Sequence, residues 1–481
     1  MKGETTMQVA VEGPDPEPVS LVRRALDLIG QPAGSGDMTG QVDAACLAVA
    51  VNAALGAPRS AADIDRSRFE AHAAELVSRG SGRLILVSDI GPGSRRGGGF
   101  HAEAAELLGW WEQLVVDAAR HGVSACHIQV GYSPEAGHAL TGIQAQHVLR
   151  YQPLRRGTRA EDLASAFDLL LAPAGGYLVG ETLRVDGGAH LGCFPAIRGD
   201  GSPGPSRAEV PVTGSPGLLQ GQVALVTGAS SGIGRAISLE LAARGADVVL
   251  AARRVDKLDE VAHEIVSGGS QAWTLETDLS DPAAAASLVD RAWAAAGGPV
   301  HRLACSAGQL GLAEPGGEGV RRTTMQVNFF SSATVTENMV TRWVDRGLPG
   351  SAVAVSSVSS TLAPVALLEN YGPSKAALSQ HHRALAVSVG RCGIRTNTVC
   401  PGIIQTDMGD VAEEMHRRGW LSRIPLGRVG TPAEVAAVVG YLLASGSEMV
   451  TGTAPRIDGG FGLGWVAGLQ DVRALCAGET S

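Results

Sequence analysis

Two similar blocks, one near the middle of the chain and one near its end, constrain the fold most strongly. Residues 153–192 read PLRRGTRAEDLASAFDLLLAPAGGYLVGETLRVDGGAHLG, and residues 425–464 read PLGRVGTPAEVAAVVGYLLASGSEMVTGTAPRIDGGFGLG. Upstream of them, GRLILVSD at 82–89 resembles GSAVAVSS at 350–357, and HGVSACHIQVG resembles CGIRTNTVCPG. Because the three similarities follow the same order, we interpret the chain as two copies of one domain.

The better preserved second copy alternates short apolar segments with amphipathic ones. A buried strand is predicted at 222–226, followed by a glycine-rich turn, a helix at 235–244 and a second strand at 247–251. Strands that alternate with helices of this length indicate βαβ crossovers and a parallel sheet. The predicted fold class is therefore α/β, with two tandem Rossmann-like, doubly wound parallel-sheet domains. The first is shortened, because residues 13–89 occupy the place of residues 228–357.

Composition sets the domain boundaries and the broad class. Residues 192–217 are rich in Gly, Pro and Ser and are predicted to link a domain at 1–191 to one at 218–481. A hydrophobic content of 44% with 18% charged residues predicts a globular protein. The net charge of −9, without a basic run, argues against nucleic acid and against a polybasic membrane anchor.

Cysteine usage and hydropathy bear on the compartment. The seven cysteines are scattered and form no C-x-x-C pair, which disfavours a disulfide framework and a zinc or other metal site. No uninterrupted apolar run of 18 residues occurs, so no membrane-spanning helix is expected. We expect a soluble protein of a reducing compartment, the cytoplasm.

The segment TGASSGIG at 227–234 stands between a predicted strand and a predicted helix, where a dinucleotide's pyrophosphate binds in α/β folds. Gly228 would allow the tight turn, Gly232 would let the backbone approach the phosphates, and Gly234 would let the helix pack closely on the strand. The helix N-terminus would add N–H donors. Loop residues expected to bind the cofactor are Gly228, Ser230, Ser231, Gly232, Ile233 and Gly234.

Cofactor choice depends on the end of the second strand. That strand ends in Ala251-Ala252-Arg253-Arg254, with two cations and no carboxylate where an acidic residue would select NAD. This predicts NADPH as the cofactor, with Arg253 and Arg254 at its 2′-phosphate. The alternative is that both arginines only solvate a helix start. Asp278 either accepts from the adenine amine or caps the next helix.

Tyr371 and Lys375 are the sharpest chemical feature of the sequence. Four residues apart on a helix, they would lie on one face, where the ammonium would favour the phenolate and lower the pKa of Tyr371. Pairs of this kind on helix surfaces are usually inert. Ser357 follows a predicted strand and would reach the same crevice at the carboxyl end of the sheet, where its hydroxyl could bind a substrate carbonyl.

Together, TGASSGIG, ACSAG, Ser357, Tyr371 with Lys375, Pro401-Gly402 and a terminal IDGG resemble the short-chain dehydrogenase/reductase superfamily from Leu219 to about Gly464. The resemblance implies that Tyr371 is the general acid, that Lys375 binds the nicotinamide ribose and that Ser357 orients the carbonyl. Asn328 would complete a proton relay; it could also kink or cap its helix. Further cofactor contacts implied are Leu279, Ala307, Gly308, Pro401, Gly402, Ile404 and Thr406. One departure is that Cys305-Ser306 replaces the usual Asn-Asn, which puts sheet-bracing contacts in doubt.

The first copy lacks this chemistry. EGPDP at 12–16 replaces the glycine loop, and its prolines and acid would exclude a pyrophosphate. Asp89 stands at the serine position, and Phe100 and Ala104 stand where tyrosine and lysine are needed. The strand patterns, the Trp110-Trp111 helix and the terminal VDGG remain. We therefore predict a degenerate, non-catalytic domain with a structural role, the alternative being an independent ligand site.

The arrangement of an inactive copy before an active one also resembles the high-molecular-weight 3-oxoacyl-ACP reductases. We predict an NADPH-dependent ketoreductase acting on a β-keto group of an acyl or polyketide thioester. The alternatives are a dehydrogenase of a free alcohol, sugar or steroid, and a non-catalytic NADPH-binding scaffold.

The residues after Gly402 are predicted to cover the substrate with Met408, Met415 and Trp420. His416, Arg417 and Arg418 of the same segment are expected to contact an acyl carrier protein. A mobile helix packed on the core is equally compatible with this segment. A homodimer with four domains is expected.

Overall fold

The structure is a computed structural model that describes residues 9–12, 16–28, 33–34, 44–49, 67–89, 98–136, 142–150, 152–191, 219–310, 318–362, 370–406 and 420–463. The predicted linker at 192–217 lies outside these residues, as do Met408, Met415, His416, Arg417 and Arg418 of the predicted cover. Trp420 begins a described turn, Trp420–Arg423.

The described part of the first copy forms a six-stranded parallel sheet. Its strands are β1 (Val9–Glu12), β2 (Ala33–Gly34), β3 (Ala44–Val49), β4 (Gly82–Asp89), β5 (Val123–Val130) and β6 (Glu181–Val185). Its helices are α1 (Pro16–Leu28), α2 (Ser67–Arg79), α3 (Gly98–Arg120), α4 (Gly142–Arg150) and α5 (Ala160–Leu171).

The described part of the second copy forms a seven-stranded parallel sheet. Its strands are β7 (Val223–Thr227), β8 (Asp247–Ala252), β9 (Ala272–Glu276), β10 (Arg302–Cys305), β11 (Gly350–Val355), β12 (Ile394–Pro401) and β13 (Arg456–Ile457). Its helices are α6 (Gly232–Ala243), α7 (Val255–Ser267), α8 (Pro282–Ala296), α9 (Glu318–Met325), α10 (Ser332–Asp345), α11 (Tyr371–Val389) and α12 (Pro432–Leu443).

Strand order confirms the predicted fold class. The second sheet runs β13-β12-β11-β10-β7-β8-β9. Strands are added on one side of β7 up to β9 and on the other side from β10 on, so the strand order reverses between β7 and β10, as in a doubly wound fold. The first runs β2-β1-β3-β4-β5-β6 and has, among the described residues, no strand in the place of β9. Strands β11 and β12 are buried along their whole length, as central parallel strands are.

The observed element boundaries differ from those expected by one to three residues, and the second strand ends at Ala252 rather than at 251. The first strand of the second copy covers Val223–Thr227 rather than 222–226, and the helix begins at Gly232 rather than at Arg235. Apolar periodicity reveals only the turns of a helix that carry large side chains on the buried face. The first turn of α6 contains Gly232 and Gly234, so the pattern could not indicate it.

The two copies share one continuous apolar core. Helices α5 and α12, which occupy equivalent places in the repeat, pack against each other. Phe167 and Leu170 of α5 belong to the same buried cluster as Val435 and Val439 of α12. Each copy therefore covers apolar surface of the other.

The contacts across this boundary are related by a pseudo-twofold axis. The Gly187 amide donates to the Met449 carbonyl at 2.8 Å, and the equivalent Gly459 amide donates to the Tyr177 carbonyl at 3.1 Å. Gly180 lies under Leu463, and its counterpart Gly452 lies under Leu191. The repeat thus brings equivalent surfaces together, as an isologous dimer interface does.

Ion pairs add to the boundary between the copies. The Glu181 carboxylate accepts from both the side-chain Nε and the amide of Arg456, each at 3.0 Å.

No described helix combines the length and the apolar character needed to cross a bilayer.

Candidate active site

The glycine turn connects β7 to α6 at the carboxyl edge of the sheet. Gly228 and Gly232 have φ angles of +70° and +52°, which L side chains rarely adopt. A Cβ atom at Gly228 would lie 2.8 Å from the backbone of Ala307, and one at Gly234 would collide with the Gly228 carbonyl. Among described atoms, a Cβ at Gly232 would meet nothing nearer than Thr406 Cγ2 at 3.6 Å. The turn therefore leaves backbone accessible at a helix N-terminus, which fits a dinucleotide pyrophosphate.

Arg254 lies against this turn. Its Nη2 donates to the Ser231 hydroxyl at 2.7 Å and to the Ser230 hydroxyl at 3.2 Å, and both Arg253 and Arg254 are exposed. Strand β8 ends at Ala252 without a carboxylate. The end of β8 thus presents cations and hydroxyls, a chemistry that suits a phosphate group.

Asp278 does not cap the next helix. Its Oδ1 accepts from the amide and the hydroxyl of Ser280, each at 2.9 Å, and these bonds hold the pKa of Asp278 below its usual value. The cap of α8 is Asp281, which accepts from the Ala283 amide at 2.9 Å. The capping alternative was therefore wrong, because the cap lies three residues further on. Contact of Asp278 with adenine stays a prediction, and Leu279 beside it is buried.

Thr227 braces the turn that follows β10. Its hydroxyl accepts from the amides of Ser306 and Ala307 at 3.2 and 3.3 Å, while the Cys305 thiol contacts Thr336 at 3.7 Å. The bracing that the Cys305-Ser306 departure put in doubt is thus supplied by β7. Gly308 follows within the same turn.

The four predicted catalytic side chains come together beside this turn. A Cβ at Gly308 would lie 3.2 Å from Lys375 Nζ and 3.4 Å from Asn328 Oδ1. Lys375 is 3% exposed, and its Nζ donates to the Val355 carbonyl at 2.8 Å. Ser357 lies close enough to the Tyr371 phenol to lower its pKa, although burial acts in the opposite direction and is stronger. The residues assemble a phenol, a hydroxyl and an ammonium in one crevice, although their catalytic roles stay a prediction.

Asn328 lies on a π-helical turn, Gln326–Ser331, and is fully buried. Its Oδ1 accepts from the Gln309 amide at 2.9 Å, and its Nδ2 donates to the Gln309 carbonyl and to the Ser374 hydroxyl, both at 3.0 Å. Ser374 in turn donates to the Tyr371 carbonyl at 2.7 Å. π-helical turns are frequent at functional sites, and this one fixes the amide beside Lys375.

The pKa of Tyr371 does not move in the direction that we expected. It is raised, because burial of the phenol outweighs the opposing effect of the nearby Ser357 hydroxyl. Lys375 does not compensate, since its ammonium lies 5.8 Å from the ring centroid and is bonded to the Val355 carbonyl. Burial also lowers the pKa of Lys375 to about 8.

Residues 401–406 complete the crevice. The Gly402 amide donates to the Ile457 carbonyl at 3.0 Å, and a Cβ at Gly402 would lie 2.7 Å from Asp458 Cβ. Pro401 ends β12, and Ile404 forms an isolated parallel bridge with Gly430. This segment faces the glycine turn through Thr406.

Sequence reasoning missed several supporting residues. The Ser356 hydroxyl donates to the Lys375 carbonyl at 2.9 Å and accepts from Ser379 at 2.8 Å, which fixes the start of α11 on β11. Ser374 was also missed. The available signal was the small polar residue three positions after Tyr371, since such spacing places both on one helix face.

The corresponding edge of the first copy carries different groups. The Ser88 hydroxyl, at the place of Ser356, contacts His127 Nε2 at 2.7 Å, and His127 Nδ1 contacts the Thr182 hydroxyl at 3.2 Å. Burial lowers the pKa of His127 to about 3, so the imidazole is neutral. Residues 13–15 of the expected loop position and the side chains of Asp89, Phe100 and Ala104 lie outside the described part of the chain. In the predicted aromatic helix, Trp110 donates to Glu70 at 2.9 Å and Trp111 is buried.

Comparison with known proteins identifies the second copy. A family model described as Enoyl-(Acyl carrier protein) reductase matches residues 228–462. The chain is 34% identical over 250 residues to L-rhamnose 1-dehydrogenase (NAD(P)(+)) of Sphingomonas sp., covering 50% of this chain and 97% of that protein. It is 34% identical over 248 residues to the 3-oxoacyl-[acyl-carrier-protein] reductase of Pseudomonas aeruginosa, covering 50% and 98%. A Burkholderia cenocepacia short-chain dehydrogenase solved with NADP is 33% identical, with a TM-score of 0.47, covering 51% of this chain and 99% of that one.

The chain belongs to the short-chain dehydrogenase/reductase superfamily, as its motifs indicated. It is an oxidoreductase of that superfamily, which acts on CH–OH and C=O groups with NAD(P).

Proposed function

We propose that this protein is an NADPH-dependent ketoreductase that reduces the β-keto group of an acyl or polyketide thioester to a secondary alcohol. The observation that carries the proposal is the joint placement of Tyr371, Ser357 and Lys375 beside a glycine turn that Arg254 flanks. The 3-oxoacyl-[acyl-carrier-protein] reductase relative supports the thioester substrate by its name.

The chain's own residues would supply the proton and the orientation. A bound nicotinamide would deliver the hydride to the carbonyl carbon. The Ser357 hydroxyl would hold the carbonyl oxygen, and the Tyr371 hydroxyl would give its proton to that oxygen as negative charge develops. The raised pKa of Tyr371 keeps this phenol protonated and ready to donate. Lys375 lies behind it, and Asn328 and Ser374 hold the start of α11 in place.

A sugar or alcohol dehydrogenase is the second candidate, because the L-rhamnose 1-dehydrogenase relative is equally similar at 34% identity. An absorbance assay separates the two: acetoacetyl thioester and trans-decalone with NADPH, against L-rhamnose with NADP⁺. We expect the thioester to give the highest kcat/KM. Preference for the sugar would support the second candidate, and NADPH binding without turnover of any substrate would indicate a non-catalytic scaffold.

Replacing Arg253 and Arg254 together with alanine should reduce the preference for NADPH over NADH by roughly tenfold to a hundredfold, the worth of one charged hydrogen bond to phosphate. Lys257→Ala, in the first turn of α7, is the matched control, because Lys257 is a neighbouring cation paired with Glu260. The ratio of kcat/KM values for the two cofactors gives the answer. A wild-type protein that favours NADH would contradict the assignment.

The pH dependence of kcat/KM for NADPH should reflect the ionisation of Lys375. Its pKa of about 8 means that the free protein loses this cation as the pH rises through 8. We therefore expect kcat/KM for NADPH to fall by about tenfold per pH unit above that value. Lys375→Arg should move the fall out of this range, because a guanidinium stays charged. A flat profile of the wild type between about pH 7 and 10 would contradict this role.

We also propose an acyl carrier protein as the partner that presents the substrate, and a homodimer with one NADPH per chain. The packing of α5 on α12 within one chain supports the homodimer, because this isologous contact takes the place of a contact between two subunits. Light scattering of the full chain tests the dimer. Comparison of kcat/KM for carrier-bound and coenzyme A-bound substrates tests the carrier.

A further inference from the structure

Tyr177 of the first copy is packed against the candidate active site of the second. It ends the turn Pro173–Tyr177 that follows α5, and it is fully buried. A Cβ at Gly430 would collide with its ring on one side and would lie 2.6 Å from Ile404 Cδ1 on the other. A Cβ at Gly459 would lie 2.6 Å from Tyr177 Cε2. The ring therefore occupies the space that two glycines of the second copy leave open.

Polar contacts fix the ring in this place. The Tyr177 hydroxyl donates to the Arg428 carbonyl at 3.2 Å, and the Arg428 guanidinium lies 4.9 Å from the ring centroid. The Tyr177 carbonyl accepts from the Gly459 amide at 3.1 Å. Arg428 is itself bonded to Glu434 at 2.6 Å, which anchors it to α12.

The backbone behind Tyr177 leads directly to predicted cofactor contacts. The Gly430 amide donates to the Ile403 carbonyl at 2.9 Å, and the Gln405 amide donates to the Gly430 carbonyl at 2.8 Å. These two bonds hold Ile404 in place, and Thr406 follows two residues later, facing Gly232 of the glycine turn. A shift of residue 430 would therefore move residues 403–406.

We propose that Tyr177 is a positioning residue through which the first copy holds residues 403–406 in the conformation that binds the dinucleotide. This inference rests on the proposed function. The first copy then has a role in the chemistry of the second without binding a cofactor itself. Filling a gap between rigid elements is the kind of support that binding groups need to stay in place.

The pseudo-twofold axis provides a matched control. Met449 of the second copy occupies the place equivalent to Tyr177; its carbonyl accepts from the Gly187 amide at 2.8 Å, and its Cε lies 2.8 Å from the position of a Cβ at Gly187. It is likewise fully buried. Met449 faces the copy that lacks the catalytic residues, so its loss should weaken the contact between copies without moving residues 403–406.

The test compares Tyr177→Ala, Tyr177→Phe and Met449→Ala in the full chain. NADP⁺ dissociation constants by calorimetry, the KM values for NADPH and for the ketone, and thermal unfolding midpoints are measured for each. Tyr177→Ala should weaken NADP⁺ binding roughly tenfold, since small displacements of positioning groups have effects of that size or more. Its effect should appear in the KM for NADPH rather than for the ketone. Tyr177→Phe keeps the ring and should bind nearly as the wild type does. Met449→Ala should lower the unfolding midpoint and leave NADP⁺ binding within about twofold.

Two results would overturn the inference: unchanged NADP⁺ binding in Tyr177→Ala, or equal weakening in Tyr177→Ala and Met449→Ala. The measurement on the wild type separates failure of the positioning role of Tyr177 from failure of the proposed function. If the wild type binds NAD⁺ in place of NADP⁺, the NADPH assignment fails and the same comparison with NAD⁺ decides the role of Tyr177. If it binds neither, both proposals are overturned.

Discussion

Tyr371→Phe should lower kcat for ketone reduction by about 10² to 10⁴, the usual contribution of a positioned general acid, and should leave NADPH binding nearly unchanged. The substitution removes one hydroxyl, which lies near Ser357, and keeps the ring. Steady-state kinetics with the best ketone substrate and an NADPH titration of the same variant measure the two effects.

Tyr441→Phe is the matched control for this substitution. Tyr441 is buried on α12, and its hydroxyl has no hydrogen-bond partner among the described residues. Removing that hydroxyl should leave kcat within about twofold of the wild type, because no partner is left unsatisfied. Near wild-type reduction by Tyr371→Phe would show that another group donates the proton.

Residues 216–481 produced alone should self-associate or be poorly soluble. In the full chain, the apolar face of α12, including Val435 and Val439, is covered by α5 of the first copy. Removal of the first copy exposes that face, and large exposed apolar patches promote association. Since the boundary is pseudo-symmetric, two fragments could also pair through the same face, with Met449 in the place of Tyr177.

Light scattering compares the fragment with the full chain over a range of concentrations. The expected result is a mass per particle above that of one fragment, or precipitation. A stable, monomeric and fully active fragment would contradict the idea that the first copy is retained to cover the second.

The sequence predicted those parts of the site that depend on local constraints. The glycine turn could be placed because its φ angles at Gly228 and Gly232 require glycine, and the turn must join a strand to a helix. Tyr371 and Lys375 could be paired because their spacing places them on one face of α11. The parallel sheet followed from the alternation of strands and helices.

The sequence could not predict effects that depend on distant packing. Tyr177 contacts Arg428 across 251 positions of the chain, and no local pattern connects them. The raised pKa of Tyr371 results from burial by several elements, whereas the spacing to Lys375 alone indicated the opposite direction. Asp278 and Asp281 both suit a helix N-cap, and only the observed start of α8 at Pro282 decides between them.

We propose that the chain carries a single dinucleotide site, in the second copy, and that the first copy supports this site without binding cofactor. Calorimetric titration of the full chain with NADPH tests this most directly, because it counts binding sites. We predict a stoichiometry of one NADPH per chain. Two sites per chain, or none, would contradict it.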